Sequence, residues 1–543
     1  MYASSLYGNR EISRLTAGCK PSGPRREGDE PKPAMHEREK SDSVVVAVKP
    51  PNDAAQAGLE EVEPRAGAKE NARRNGTNRT PRRAFVSPGL ERVRQVAQGL
   101  KGERFTALLH HVDVTLLRSS YLALKREAAP GIDGVTWRDY GEDLEDKLED
   151  LHGRVHRGTY RAQPSRRRYI PKPDGRERPL GIAALEDKIV QRAVVEVLNA
   201  IYEEDFLGFS YGFRPGRGQH DALDALAVGI THSKVNWILD ADIRSFFDTV
   251  SHEWLIRFLN HRIGDQRVIR LISKWLTVGV MEGGVRQPGT AGTPQGAVIS
   301  PLLANIYLYY AFDLWAQQWR GRHAHGAVIL VRYADDIVAG FEHEADARAF
   351  LEAMRQRMAG FALTLHPDKT RLIEFGRHAA AERERRGLGK PETFNFLGFT
   401  HICGRSRRGN FLLWRQSRRD RRQAKLREVK EELKRRMHDA IPSQGQWLRQ
   451  VVRGWYNYHA VPTNSHALAA FRDHVTDLWL RVLRRRSQKD GTTWQRMRQI
   501  AEQWLPRPRI VHPWPSARFA VTHPRWEPDA LIGPVRFCAG GAQ

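Results

Sequence analysis

The chain has 543 residues and a formal net charge of +25, from 88 Lys and Arg against 63 Asp and Glu. That excess calls for a polyanionic partner or surface. Three cysteines far apart in sequence, with no Cys-x-x-Cys pair, argue against a zinc finger or a disulfide framework. No apolar run approaches the roughly 18 residues of a membrane span, and "MYASSLYGNREISRL" lacks an apolar signal-peptide core. The expectation is a cytosolic protein working close to nucleic acid.

Residues 1–84 are rich in Pro, Gly, Glu, Arg and Ala and carry little periodic hydrophobicity. Such a stretch cannot bury enough apolar surface to offset its ordering entropy, so a disordered basic arm is expected there. Structure is expected from Phe85. "LLRSSYLALKREAAPGIDGVTW" reads as a helix stopped by Pro130–Gly131, then a tight turn at Asp133–Gly134. "YIPKPDGRERPLGI" (169–182) reads as two strands around the turn signal Asp174–Gly175. "ALEDKIVQRAVVEVLNAIYE" has helical periodicity, and "NWILDADI" reads as a strand with a helix from Ser245. "GTPQGAVISPLLANIYLYYAFDLW" is a turn running into a long apolar helix, and "AVILVRYADDIVAGF" (327–341) is a hairpin. Residues 405–436 hold 14 Lys/Arg against 4 Asp/Glu and are read as helix, followed by a helical "WLRQVVRGWYNYHAV". The tail from 504 is rich in Pro and Trp and has no regular period.

The chemistry-bearing feature is Asp335–Asp336 at the tip of the 327–341 hairpin. Asp is a good turn residue, so the pair alone has an ordinary explanation. The apolar flanks, however, would hold the tip rigidly. Two carboxylates held that close share a proton or bind a cation, and oxygen donors favour Mg²⁺. Such a site needs a third carboxylate, and "NWILDADIRSFFDTV" offers Asp240, Asp242 and Asp248. Asp240 and Asp242 face the same side of a strand, so spacing does not choose between them. Asp248 could equally serve the first turn of the next helix. Three carboxylates around two Mg²⁺ ions suit in-line attack of a hydroxyl on phosphorus.

"YADD" at 333–336 resembles the signature of reverse transcriptases. "RRYIPKPDGRERPLGI", "FSYGFRPGRGQHDAL", "ILDADIRSFFDTV", "GTPQGAVISPLLANIYL", "VRYADDIVAG", "LTLHPDKTRLIEF" and "FNFLGF" follow in that family's order across 168–399. With "GIDGVTW" upstream and "GWYNYH" at 454–459, the resemblance is to group II intron-encoded reverse transcriptase/maturases, over residues 85–500. It implies an α+β right-hand polymerase: fingers and palm over 85–404, an α-helical thumb/maturase domain over 405–500, and a basic aromatic segment over 501–543. That last segment is a candidate DNA contact without the paired Cys and His of a nuclease.

Carried over, the resemblance makes Asp242 the third metal ligand beside Asp335 and Asp336, and Lys369 a candidate general acid at the leaving pyrophosphate. Lys172 and Arg178 become phosphate contacts on the hairpin that closes over a dNTP. Phe247 becomes the steric gate against a ribose 2′-OH, with one of Phe246 and Phe247 expected in the core. Gln295 and Gly296 become the wall of the template and nucleotide pocket, where backbone approaches closely. Cofactors are then two Mg²⁺ ions with dNTP substrates. Partners are intron RNA and target DNA, without a membrane, and with a monomer and a homodimer both open. A bacterial, nucleoid-associated ribonucleoprotein is implied. The basic helices and "GWYNYH" aromatics are expected to meet structured RNA. Two alternatives stay open: a maturase that only binds RNA for splicing, and a CRISPR-associated or defence reverse transcriptase.

Overall fold

The computed structural model describes residues 87–171, 177–486 and 491–522. The arm over 1–84, Lys172 and the end of the tail from 523 lie outside the described residues. No described helix is long and apolar enough to cross a membrane.

β1 (Ser165–Pro171) and β2 (Glu177–Ile182) pair antiparallel, as the turn signal between them predicts. β3 (Trp237–Asp242) follows the amphipathic helix Leu185–Asp205 and the helix Gln219–His232. β4 (Val280–Glu282) and β5 (Val285–Gln287) extend the first hairpin into a sheet of order β2-β1-β4-β5. β6 (Val328–Tyr333) and β7 (Asp336–Phe341) form the expected second hairpin. With β3 and β8 (Arg371–Glu374) they make an antiparallel sheet of order β6-β7-β3-β8. β9 (Phe394–Phe396), β10 (Phe399–Arg405) and β11 (Phe411–Ser417) form a third sheet.

The second sheet is the scaffold of the hairpin tip. Helices Gln219–His232 and Glu344–Ala359 pack on it, and every residue from Ile329 to Tyr333 and from Ile337 to Phe341 is buried. That burial explains why these strands read as continuous apolar runs rather than as an alternation. The long apolar helix is present but not uniform. Ser300–Leu308 widens into a π-turn over Tyr309–Asp313 before continuing as Leu314–His323.

Two hydrophobic cores result. One runs from Leu90 through the second and third sheets to Leu413 and Phe519. The other joins helices from Val429 to Leu505.

Four expectations need correction. The helix expected to run to Pro130 spans Val114–Ala123. Beyond it Lys125, Arg126 and Glu127 are all exposed, so no packed face supports further turns. Residues 405–417 are the end of β10, a turn and β11 rather than helix, and the helix begins at Arg419. Strand β11 alternates buried and half-buried along its length, and the charge of the segment masked this period of two. The "GWYNYH" aromatics turn inward: Tyr456 is buried, Tyr458 Oη donates to the Leu397 carbonyl (2.8 Å), and Trp455 stacks on Phe471. The tail holds a helix, Pro515–Thr522, docked on helix Gln219–His232 through Arg518 and Asp221 (2.8 Å) and buried Phe519.

Candidate active site

Tyr333 and Asp336 are the last cross-strand pair of the β6–β7 hairpin, so Ala334 and Asp335 form a two-residue turn. Ala334 has φ +54°, a conformation usually left to glycine in such turns. The turn rests on the segment before helix Gln219–His232. Tyr211 N–H donates to the Arg332 carbonyl (2.9 Å) and Arg332 N–H to that of Phe209 (2.8 Å). Gly212 lies so close that a Cβ there would sit 2.4 Å from the Ala334 nitrogen.

Asp242, the last residue of β3, stands directly opposite Asp336 on β7. Asp240 stands opposite Val338 and next to Arg371, two residues further along the strand. The register thus separates two aspartates that spacing alone left equivalent. The end of β3 is held by the segment ahead of Lys369: His366 N–H donates to the Asp242 carbonyl (2.7 Å), and Thr370 N–H closes a turn onto His366. That turn aims Lys369, whose Nζ donates to Asp242 Oδ2 at 2.6 Å.

Burial and charge crowding raise Asp336, Asp335 and Asp240. Burial, then the neighbouring Asp335, Asp242 and Asp240, push Asp336 up to about 7, although its side chain keeps solvent access at the tip. Burial raises Asp335 as well, and the charges of Arg178 and Lys369 partly offset the rise. Burial pushes Asp240 up to about 6, against the pull of Arg371.

Beside the carboxylates, Phe246 is buried (2% exposed) and Phe247 is half-buried. The expected division between core and surface therefore falls with Phe246 inside. Thr293 N–H donates to the Phe247 carbonyl (2.7 Å). Gln295 donates through Nε2 to Asp248 Oδ1 (3.0 Å), so Asp248 serves this contact as well as its one-turn helix. The Gln295 carbonyl accepts from Gly181 N–H of β2 (2.7 Å). Gly296 has φ +106°, and a Cβ there would meet the Gly181 carbonyl at 2.7 Å. Its close approach is thus to the backbone of the first hairpin.

The structure brings together Asp242, Asp335, Asp336 and Lys369, with the Arg178 charge in reach, and sets Phe247, Gln295 and Gly296 on one linked wall. Among the described residues no three His, Cys, Asp or Glu side chains are placed to hold a metal ion as they stand; Asp242 is held by Lys369. The donor set nevertheless fits a hard divalent cation. It consists of carboxylate oxygens, and their crowding leaves negative charge that a cation would offset.

Sequence reasoning missed Arg332, which is fully buried behind the turn (0% exposed). Its signal was present: a lone arginine inside the apolar run "VILVRY".

An antiparallel sheet thus presents paired carboxylates beside a lysine and a loop-lined wall. Residues 170–401 match the reverse transcriptase (RNA-dependent DNA polymerase) family. Protein YkfC of Escherichia coli (strain K12) is 34% identical over 321 residues, covering 53% of this chain and 80% of that protein. Group II intron-encoded protein LtrA of Lactococcus lactis subsp. cremoris is 35% identical over 226 residues, covering 40% of this chain and 37% of that protein. An uncharacterized 91 kDa protein in the cob intron of Schizosaccharomyces pombe is 44% identical over 146 residues, 27% of this chain and 18% of that protein. The chain belongs to the reverse transcriptase family of RNA-directed DNA polymerases.

Proposed function

We propose that this chain copies intron RNA into DNA at the tip of the β6–β7 hairpin and also assists splicing of that RNA. The observation that carries the site is the cross-strand pair Asp242–Asp336 with Asp335 in the adjoining turn. Asp242, Asp335 and Asp336 would hold two Mg²⁺ ions. When bound, Mg²⁺ supplies activation of the primer 3′-hydroxyl and charge stabilisation of the leaving pyrophosphate. The primer 3′-hydroxyl loses its proton to solvent water as its oxygen bonds the α-phosphorus of a dNTP, and the bond from that phosphorus to the oxygen bridging to the β-phosphorus breaks. Lys369 leaves Asp242 and gives a proton to the departing pyrophosphate. Arg178 contacts the triphosphate from β2, and Lys172 is the second phosphate contact in this reading. Phe247 crowds a ribose 2′-OH, while Gln295 and Gly296 wall the pocket.

In this reading β1 and β2 are fingers, the β6-β7-β3-β8 sheet is the palm, and the helices from Arg419 are the thumb/maturase body. That body offers RNA exposed basic residues such as Arg427 and Lys430. Retrohoming into target DNA follows from copying at a DNA site.

Splicing-only action is the outcome to exclude. The test incubates the protein with a group II intron transcript and, separately, with a primed RNA template, dNTPs and Mg²⁺. Primer extension together with faster splicing is expected. Splicing assistance without extension would overturn the polymerase assignment.

A further inference from the structure

Arg332 is the residue whose surroundings the reaction scheme leaves unused. It is fully buried, and so is Asp313, its ion-pair partner. The guanidinium donates from Nε to Asp313 Oδ1 (2.7 Å) and from one terminal nitrogen to Asp313 Oδ2 (2.5 Å) and Ser210 Oγ (2.7 Å). The other terminal nitrogen donates to Asn305 Oδ1 (3.0 Å) and to the Ala334 carbonyl (3.1 Å). Asn305 donates in turn to the Gly212 carbonyl (2.7 Å), in the segment on which the turn rests.

Two features of this network exceed what stability requires. A buried ion pair is weak evidence for stability, because desolvation offsets most of the attraction. Here one donor is directed at the peptide between Ala334 and Asp335, where the backbone adopts a left-handed conformation without glycine. Backbone held this way persists only when its surroundings over-determine it. The second feature is the π-turn Tyr309–Asp313, which ends on Asp313, the residue that grips the guanidinium. Such insertions are uncommon and cluster at functional sites.

We propose that Arg332 is a positioning residue: through the Ala334 carbonyl, with Asp313 and Asn305 as its anchors, it fixes where Asp335 sits relative to Asp242. This rests on the polymerase reading above. The residue touches no substrate, so its loss acts on the reacting geometry rather than on binding. A displacement of about 1 Å at a reacting centre can cost about 10²-fold in rate.

The test uses full-length protein in primer extension on an RNA template. Native protein is compared with Arg332→Lys, with the paired variant Arg332→Met and Asp313→Leu, and with Asp335→Asn. The pair removes both buried charges together, so no lone charge is left in the core. Assays run below each variant's own melting temperature. For the pair we expect kcat to fall about 10²-fold while the dNTP KM and primer–template Kd stay within about threefold. Arg332→Lys, which keeps the charge but not the fork of donors, should lie between native and pair. Near-native kcat in a folded pair would overturn the proposal. So would a kcat loss matched by an equal loss of primer–template affinity, which is the mark of general disruption. Should the pair not fold, full activity in Arg332→Lys would overturn it alone. Activity surviving in Asp335→Asn would instead bring down the reading of the site, a separate failure.

Discussion

At the scale of single residues, the site is an arrangement of carboxylates whose repulsion is left in place by the fold. Asp336 is pushed up to about 7 by burial and by its acidic neighbours. A carboxyl raised above its unfolded value binds more protons in the native state. Its stabilising contribution is therefore present below about pH 4 and is lost as pH rises towards 7. The penalty is on the order of 1 kcal/mol once screening at the exposed tip is allowed for. A divalent cation that binds the ionised form should reverse it. Melting temperature measured with and without Mg²⁺ should therefore show a larger Mg²⁺ gain at pH 7.5 than at pH 5.5, and Asp336→Asn should abolish that difference. An equal gain at both pH values would show that the cation acts elsewhere.

The two adjacent phenylalanines separate fold from function at the same scale. Phe246→Ala empties a core site and should cost about 3–5 kcal/mol in denaturant unfolding. Phe247→Ala, from a half-buried position, should cost far less and instead raise incorporation of rNTPs relative to dNTPs. Unchanged sugar selectivity in Phe247→Ala would remove its gate role.

At the scale of elements, legibility followed the strength of the local pattern. The turn signal at Asp174–Gly175 and the apolar flanks of Asp335 were enough to read both hairpins. Strand β11 was misread because Arg415, which looked like part of a basic helix, is buried and paired with Asp224 at 2.8 Å. No local signal announces a partner 191 residues away. The same holds for the inward turn of the "GWYNYH" aromatics, which fasten one helix to the β9–β10 region. The tail helix Pro515–Thr522 has too few turns to register as a period. It is positioned by Arg518 against Asp221 and Asp224, and by Phe519, which is 2% exposed. Phe519→Ala should therefore lower unfolding free energy by about 3–5 kcal/mol in urea titration. A cost near zero would mean that this helix is not fastened to the polymerase body.

At the scale of the whole molecule, the net charge of +25 and the order of the sequence blocks gave the class of partner and the family. The resemblance chose Asp242 over Asp240, which spacing alone left equivalent, and the strand pairing that sets Asp242 against Asp336 supplies the physical reason. Charge and block order could not give the buried support behind the turn, which joins Ser210, Asn305, Asp313 and Arg332 from distant parts of the chain. The large core holds the tip and the β6–β7 hairpin in one body with the helices packed on that sheet, while a second core organises the helices from Val429 to Leu505. The central claim is that the three carboxylates at the hairpin tip carry nucleotide transfer within this body. Its most direct test is the single-turnover rate of dNTP addition on a primed RNA template with Mg²⁺, in native protein and in Asp335→Asn, with primer–template affinity measured alongside. Loss of addition in the variant at unchanged affinity is the predicted result, and addition at the native rate would contradict the claim.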